Sequence, residues 1–174
     1  VAAIRSALMA GYRPDSDHTR VADPLENGEF LLMPSETLDA VGVKVLTVAP
    51  RNPSLGLPRI QGVYLLFDRE SLAPRMLIDG PALTDLRTAA VSITAVQDAL
   101  LDSDAPLDVV VYGAGHQGVA HARTVRAVLG GRRGIRSVSA VVRDPSGVAD
   151  ASEFDRVLRA GGDEAAAATA AAGL

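Results

Sequence analysis

Cysteine is absent from all 174 residues. That excludes disulfides, thiolate metal sites and a cysteine nucleophile. Histidine occurs only three times, at His18, His116 and His121. No two of these stand four apart beside a carboxylate, so no metal centre is expected. Aromatic residues are 3% of the chain while apolar residues are 48%, so a core has to be built mainly from Val, Leu and Ala. A basic surface is missing too: the net charge is -4 with a pI near 5.3, against both nucleic acid and an anionic membrane as partners. The one arginine cluster, Arg132, Arg133 and Arg136, lies in a Gly-rich stretch and reads as a solvated turn. No apolar run approaches the roughly 18 residues of a membrane span, and no basic-then-apolar leader opens the chain. A cytoplasmic protein without membrane contact is the expectation.

What the sequence does contain is a change of period along the chain. Residues 1–12 place apolar side chains at Ala3, Ile4, Ala7, Leu8 and Ala10 ahead of Gly11, an amphipathic helix closed by glycine. From Thr19 to Asp79 the pattern turns β-rich. E-F-L-L-M-P, G-V-K-V-L-T-V, Q-G-V-Y-L-L-F-D and R-M-L-I-D-G are short runs separated by turn-forming residues. No helix-length segment interrupts the last three, which predicts an antiparallel sheet with D-R-E-S, from Asp68, as a hairpin turn. Pro81–Leu101 then reads as a long helix with Thr84 or a neighbour as its cap, and Ala89, Ala90 and Ser92 as a close-packing face. Asp102–Pro106 is the candidate boundary between a first domain, residues 1–104, and a second, residues 105–174.

The second domain follows a β-α-β-α order: a strand at Asp108–Tyr112, a helix near Gly118–Leu129, a strand at Ser137–Val142 and a helix around Ala151–Arg159. That order implies a parallel sheet. Two parallel strands cannot bury both faces, and the first helix has no cap before it, so the chain is expected to be incomplete at both ends. Its turn, G-A-G-H-Q-G at Gly113, Gly115 and Gly118, matches G-x-G-x-x-G. After a strand and opening a helix, this is the context of a pyrophosphate-binding turn: one glycine for the bend, one for phosphate approach, one for helix–strand packing. At the end of the next strand, Val142 in the usual acidic position would leave Arg143 to face a 2′-phosphate and favour NADP; a slip of two residues would offer Asp144 to NAD. The first register is the one favoured.

Three cations draw notice elsewhere. Lys44 shares a strand face with Gly42, Leu46 and Val48. It is either an edge-strand lysine reaching solvent or a functional group, a partner for a substrate carboxylate or a lysine with a depressed pKa. Arg87 lies in the first turns of the long helix, where a cation opposes the helix dipole. Its plain reading is a surface ion pair with Asp85 or a nearby acid. Arg20 sits in a loop and says little by itself. His116 and His121 read as turn and helix residues rather than acid–base groups.

M-P-S-E, G-V-K-V-L-T-V, Q-G-V-Y-L-L-F-D, L-T-D-L-R-T-A-A and V-Y-G-A-G-H-Q-G-V-A-H, in that order, resemble the ornithine cyclodeaminase/mu-crystallin family over nearly the whole chain. The resemblance implies an α+β substrate and dimerisation domain joined to a Rossmann dinucleotide-binding domain, an α/β protein overall. It also implies bound NAD or NADP, and a homodimer. It assigns Arg20, Lys44 and Arg87 to the substrate carboxylate, with Lys44 also able to act on the proton of an imine. Thr88 and the turn Gly113, Ala114, Gly115, His116, Gln117 and Gly118 go to the cofactor phosphates. Arg59 stands where ornithine cyclodeaminase has a different polar residue, a departure that argues against ornithine as substrate. The family's catalytic aspartate falls beyond residue 174. The implied chemistry is hydride exchange between an amine and its imine on an amino acid or cyclic imino acid, as in a cyclodeaminase, a ketimine or pyrroline carboxylate reductase, or an alanine dehydrogenase. A mu-crystallin-like protein that binds NADP without catalysis is the alternative.

Overall fold

The computed structural model describes residues 1–172; the last two residues of the alanine-rich end lie outside the described residues. The chain forms two compact units, Arg5–Thr84, and Asp85 onward together with Val1–Ile4. The first helix, α1 (Ala2–Met9), ends as expected before Gly11, whose φ of +94° suits only glycine well.

The first unit is built on one antiparallel sheet in sequential order, β1 (Val21–Leu25), β2 (Gly28–Glu36), β3 (Ala40–Val48), β4 (Ile60–Asp68) and β5 (Pro74–Asp79). The four expected runs are β2 to β5. The fifth strand, β1, is V-A-D-P-L; every residue is exposed and Pro24 lacks a donor, so it carries no apolar alternation and survives only as an edge. Thr37 closes the β2–β3 turn, its hydroxyl accepting from the amides of Asp39 and Ala40. The D-R-E-S turn forms as expected because the Asp68 carboxylate accepts from the amides of Glu70 and Ser71 and from the Ser71 hydroxyl.

The long helix α2 (Gly80–Leu101) starts one residue earlier than expected and is capped by Asp79 rather than by Thr84. Asp79 accepts from the Ala82 amide at 2.7 Å, whereas the Thr84 hydroxyl donates backward to the Gly80 carbonyl at 2.8 Å. Ala89 and Ala90 are buried, as a close-packing face requires, but Ser92 is exposed. The expected boundary, Asp102–Pro106, is an irregular link between α2 and the next strand, while the compact units part earlier, after Thr84.

In the second unit β6 (Leu107–Tyr112), α3 (His116–Leu129) and β7 (Ile135–Val142) follow the expected order. What comes next differs. Residues 151–159 do not form a helix; Arg156–Arg159 is a strand, β8, paired in parallel with β7, and the helix α4 (Asp163–Ala171) follows it. Phe154, Val157 and Leu158 stand at i, i+3 and i+4 and so imitate a helix face. Instead Val157 packs toward Ala122, Val138 and Ala140, while Leu158 packs with Val141, Ala165 and Ala168 on the opposite face. The sheet therefore has three strands, ordered β6-β7-β8, with α3 on one face and α4 on the other.

The β7–β8 crossover contains only a short 3-10 turn, Pro145–Gly147, where a helix is the usual solution. E-F-D takes its place. Phe154, 8% exposed, fills the face beside α3. Asp155 bonds Val138 through both its amide and its carboxylate, and Arg126 of α3 donates to that carboxylate at 2.9 Å. Arg123 holds Glu153 at 3.0 Å. Nor is the arginine cluster a solvated turn throughout. Arg133 is buried and donates to the carbonyls of Ala105 at 2.6 Å and Leu100 at 2.7 Å, tying the end of α2 to the link that follows it. Arg136 pairs with Asp108, and Arg132 stays exposed.

Candidate functional site

Two of the three glycines in the turn between β6 and α3 are required by its backbone, each for a different reason. Gly113 bends the chain at φ +100°, its amide donating to the Val141 carbonyl of β7 at 2.9 Å. A Cβ on Gly118 would lie 2.1 Å from the Gly113 carbonyl oxygen, so the first turn of α3 can close on the strand only without one. Gly115, the N-cap, has open space where its Cβ would be, and no side chain caps the helix. The open side of the turn faces a cavity of about 1150 Å³. Its walls are the turn itself from Tyr112 to His116, the end of β7 with Arg143 and Asp144, the crossover at Gly147–Asp150, and α3 at Arg123.

Asp85 also lines this cavity, a contribution not foreseen because its partners lie far along the chain. It accepts from Gln117 Nε2 at 2.5 Å and stands 3.7 Å from His116 Nδ1. So Asp85 pairs with the turn, not with Arg87 as the plain reading had it. The other amide atom of Gln117, Oε1, is buried with no hydrogen-bond partner among the described residues. His116 is almost wholly exposed. His121 lies one turn into α3, with Nδ1 2.6 Å from the Gln117 carbonyl and Nε2 3.0 Å from the Ser92 hydroxyl. Both ring nitrogens are thus taken up by packing.

Beside the turn β7 stops at Val142, which leaves Arg143 and Asp144 as the first residues beyond the strand. Both are exposed and both line the cavity. Asp144 Oδ1 accepts from the amide of Ser146 at 3.1 Å and its hydroxyl at 2.8 Å, capping its own turn. Thr88 is half-buried and Arg87 exposed on α2.

In the first unit, Lys44 is not an edge residue. It occupies the central strand between Met33 of β2 and Tyr64 of β4, and Nζ donates to Thr84 Oγ1 at 3.3 Å. The snorkelling alternative needed an edge, and β3 has a neighbour on each side. Arg20 is exposed immediately before β1, and Arg59 is exposed immediately before β4. A second cavity of about 440 Å³ in this unit is bordered by Arg13, Asp17, His18, Glu36 and Arg69. Burial raises the Asp17 carboxyl, but hydrogen bonds from Ser35, Tyr12 and the amides of His18 and Glu36 outweigh it and bring it down to about 2. Among the described residues no group of three His, Asp or Glu could hold a metal. None of their helices is long and apolar enough to cross a membrane.

An antiparallel α+β unit followed by a β-α-β unit with this glycine turn defines an α/β protein of Rossmann type. The chain belongs to the ornithine cyclodeaminase/mu-crystallin family, whose model matches residues 6–172. Delta(1)-pyrroline-2-carboxylate reductase 2 of Burkholderia ambifaria is 36% identical over 110 residues, covering 63% of this chain and 35% of that protein. The Delta(1)-pyrroline-2-carboxylate/Delta(1)-piperideine-2-carboxylate reductase of Azospirillum brasilense matches at the same 36%, with the same coverage. The structure of Thermococcus litoralis Delta(1)-pyrroline-2-carboxylate reductase in complex with NADH and L-proline superposes with a TM-score of 0.63 at 25% identity, covering 82% of this chain and 46% of that one. The matched stretch is thus about a third of the curated relatives' length.

Proposed function

We propose that this chain is part of an NAD(P)-dependent reductase that moves hydride between a nicotinamide and the Cα of a small cyclic imino acid, the pyrroline-2-carboxylate class. The observation that carries the reading is the glycine turn, in which Gly113, Gly115 and Gly118 meet three separate demands of a pyrophosphate site. Such a coenzyme fits the residues present: the N-cap is a bare glycine, no side chain occupies the helix end, and the cavity runs from the turn to Arg143. When bound, the nicotinamide supplies or accepts the hydride. Gly113–Gly118 and Thr88 hold the phosphates, and Arg143 favours NADP over NAD. Arg20, Lys44 and Arg87 are the family's positions for the substrate carboxylate. Lys44 is also the group we assign to the imine proton, since an ammonium on a central strand is held by the sheet and by Thr84 rather than free in water.

The relatives' names favour a reductase over a cyclodeaminase, and Arg59 supports the same choice. We further propose a cytoplasmic homodimer, with residues 1–104 for substrate and dimerisation and residues 105–174 for the coenzyme. The test follows NADPH and NADH absorbance in the full-length protein with pyrroline-2-carboxylate, piperideine-2-carboxylate, and pyruvate plus ammonia, with ornithine turnover in parallel. Reduction of the cyclic imines is expected. Coenzyme binding with silence on every substrate would refute the enzyme reading, and an unchanged rate in Lys44→Ala would refute the role given to that residue.

A further inference from the structure

The residue that ends β8 is Arg159, and parallel pairing sets it directly beside Val142, the last residue of β7. Its guanidinium reaches across the backbone of the next two residues. Nη1 donates to the Arg143 carbonyl at 3.4 Å, and Nη2 lies 3.9 Å from Asp144 Oδ1. Arg143, Asp144 and Ala160 line the cavity, and Arg159, next to Ala160, reaches the backbone of the first and the carboxylate of the second, so two arginines and one aspartate adjoin its edge, a local excess of one positive charge. All three side chains are well exposed, so each guanidinium is free to turn toward a ligand.

Asp144 is poorly placed to read a ribose hydroxyl. Oδ1 is committed to Ser146 through two hydrogen bonds, and Arg159 stands on the same oxygen. An acid that caps its own turn beside a cation presents a partly neutralised face, unlike the free carboxylate a 2′-hydroxyl reader needs. A 2′-phosphate carries close to two negative charges at neutral pH and accepts from several donors at once, which suits two arginines.

We infer that Arg159, acting with Arg143, forms a two-arginine clasp for the 2′-phosphate of an adenine dinucleotide, and that Asp144 serves to hold the clasp open rather than to bind ribose. The inference rests on the coenzyme reading above but adds a residue to it. Parallel pairing with β7 sets the β8 terminus beside Arg143, and this lets a residue of the third strand take part.

The experiment measures binding of NADPH, NADH, 2′,5′-ADP and 5′-AMP to the full-length protein by titration calorimetry. Melting temperature confirms that each variant folds. Arg159→Ala should weaken NADPH and 2′,5′-ADP about ten- to thirtyfold, the scale of one charge-assisted hydrogen bond, and leave NADH and 5′-AMP within about twofold. Arg159→Lys, which keeps the charge and loses the fork, should fall between. Asp144→Asn should tighten NADPH and leave NADH unchanged. Equal weakening of both coenzymes by Arg159→Ala, no change in either, or a tenfold loss of NADH in Asp144→Asn would each overturn the inference. If the unaltered protein binds neither coenzyme, it is the coenzyme reading itself that fails, which this set of measurements separates from failure of the clasp.

Discussion

Replacing Phe154 with alanine is the sharpest test of a crossover that works without a helix. Phe154 is 8% exposed and packs against Ala122 of α3 and Val138 and Ala140 of β7, all three fully buried. The neighbours are small and belong to regular elements, so they cannot swing inward to fill the space. A buried Phe→Ala change costs about 3–5 kcal/mol. The remaining exposure and the give of a loop place this site at the lower end, about 3 kcal/mol. For a chain of this length that corresponds to a fall in Tm of roughly 6–12 °C. Phe154→Leu, which keeps most of the volume, should cost about 1 kcal/mol. Thermal and urea unfolding followed by circular dichroism would read both variants. Amide exchange supplies the second readout. Ala160 donates to Val142 and Asp155 to Val138, so these amides should be slow in the parent and lose protection first in Phe154→Ala. The exposed crossover amides should exchange quickly in both proteins. A destabilisation under about 1 kcal/mol, or uniform slow exchange from residue 151 to 159, would mean that the segment is a surface helix and the anchoring argument is wrong.

Two further outcomes follow from buried polar groups. Arg133→Met keeps the aliphatic stem but strips donors from the carbonyls of Leu100 and Ala105; a loss of about 2–4 kcal/mol is expected, and a urea midpoint unchanged within error would refute the lock at the end of α2. Asp17, brought down to about 2 by its four donors, has a folded pKa below the unfolded value. Its contribution is therefore present above pH about 4 and is lost as pH falls from there through about 2. Asp17→Asn should flatten that acid limb in a Tm-versus-pH series, and an unaltered limb would show that the carboxylate's bonds carry no stability.

What could be read from the sequence was local, and what could not was set by contacts across the chain. The β2–β5 runs alternate or bunch apolar residues between turn formers, and the Asp68 turn announces itself by Asx chemistry, so both are visible within a few residues. β1 is not, because an exposed edge strand has no hydrophobic pattern to display; only pairing with β2 makes it a strand. The crossover misleads for the opposite reason. Phe154, Val157 and Leu158 carry a helical spacing, yet Phe154 belongs to a plug and the other two to opposite faces of β8. Arg133 likewise looks like one of three solvated arginines until the carbonyls at the end of α2 are seen beside it.

The candidate site divides in the same way. Its glycine turn is legible because the G-x-G-x-x-G pattern falls within six residues, and the fold itself demands glycine at Gly113, for its positive φ, and at Gly118, where a Cβ would meet the Gly113 carbonyl. Lys44 is legible as a cation on an apolar strand, but its central place comes from the sheet order, not from its neighbours. Asp85 and Arg159 are silent, since each acquires meaning from a residue brought near by the fold: Gln117 for the one, Arg143 and Asp144 for the other. If the proposed clasp holds, coenzyme choice turns on the register of two adjacent parallel strands. A slip of β8 by one residue against β7 would send the Arg159 side chain to the opposite face of the sheet. Insertion or deletion of one residue in the crossover, away from every cavity-lining position, should then disturb the preference between NADPH and NADH more than it disturbs binding of 5′-AMP.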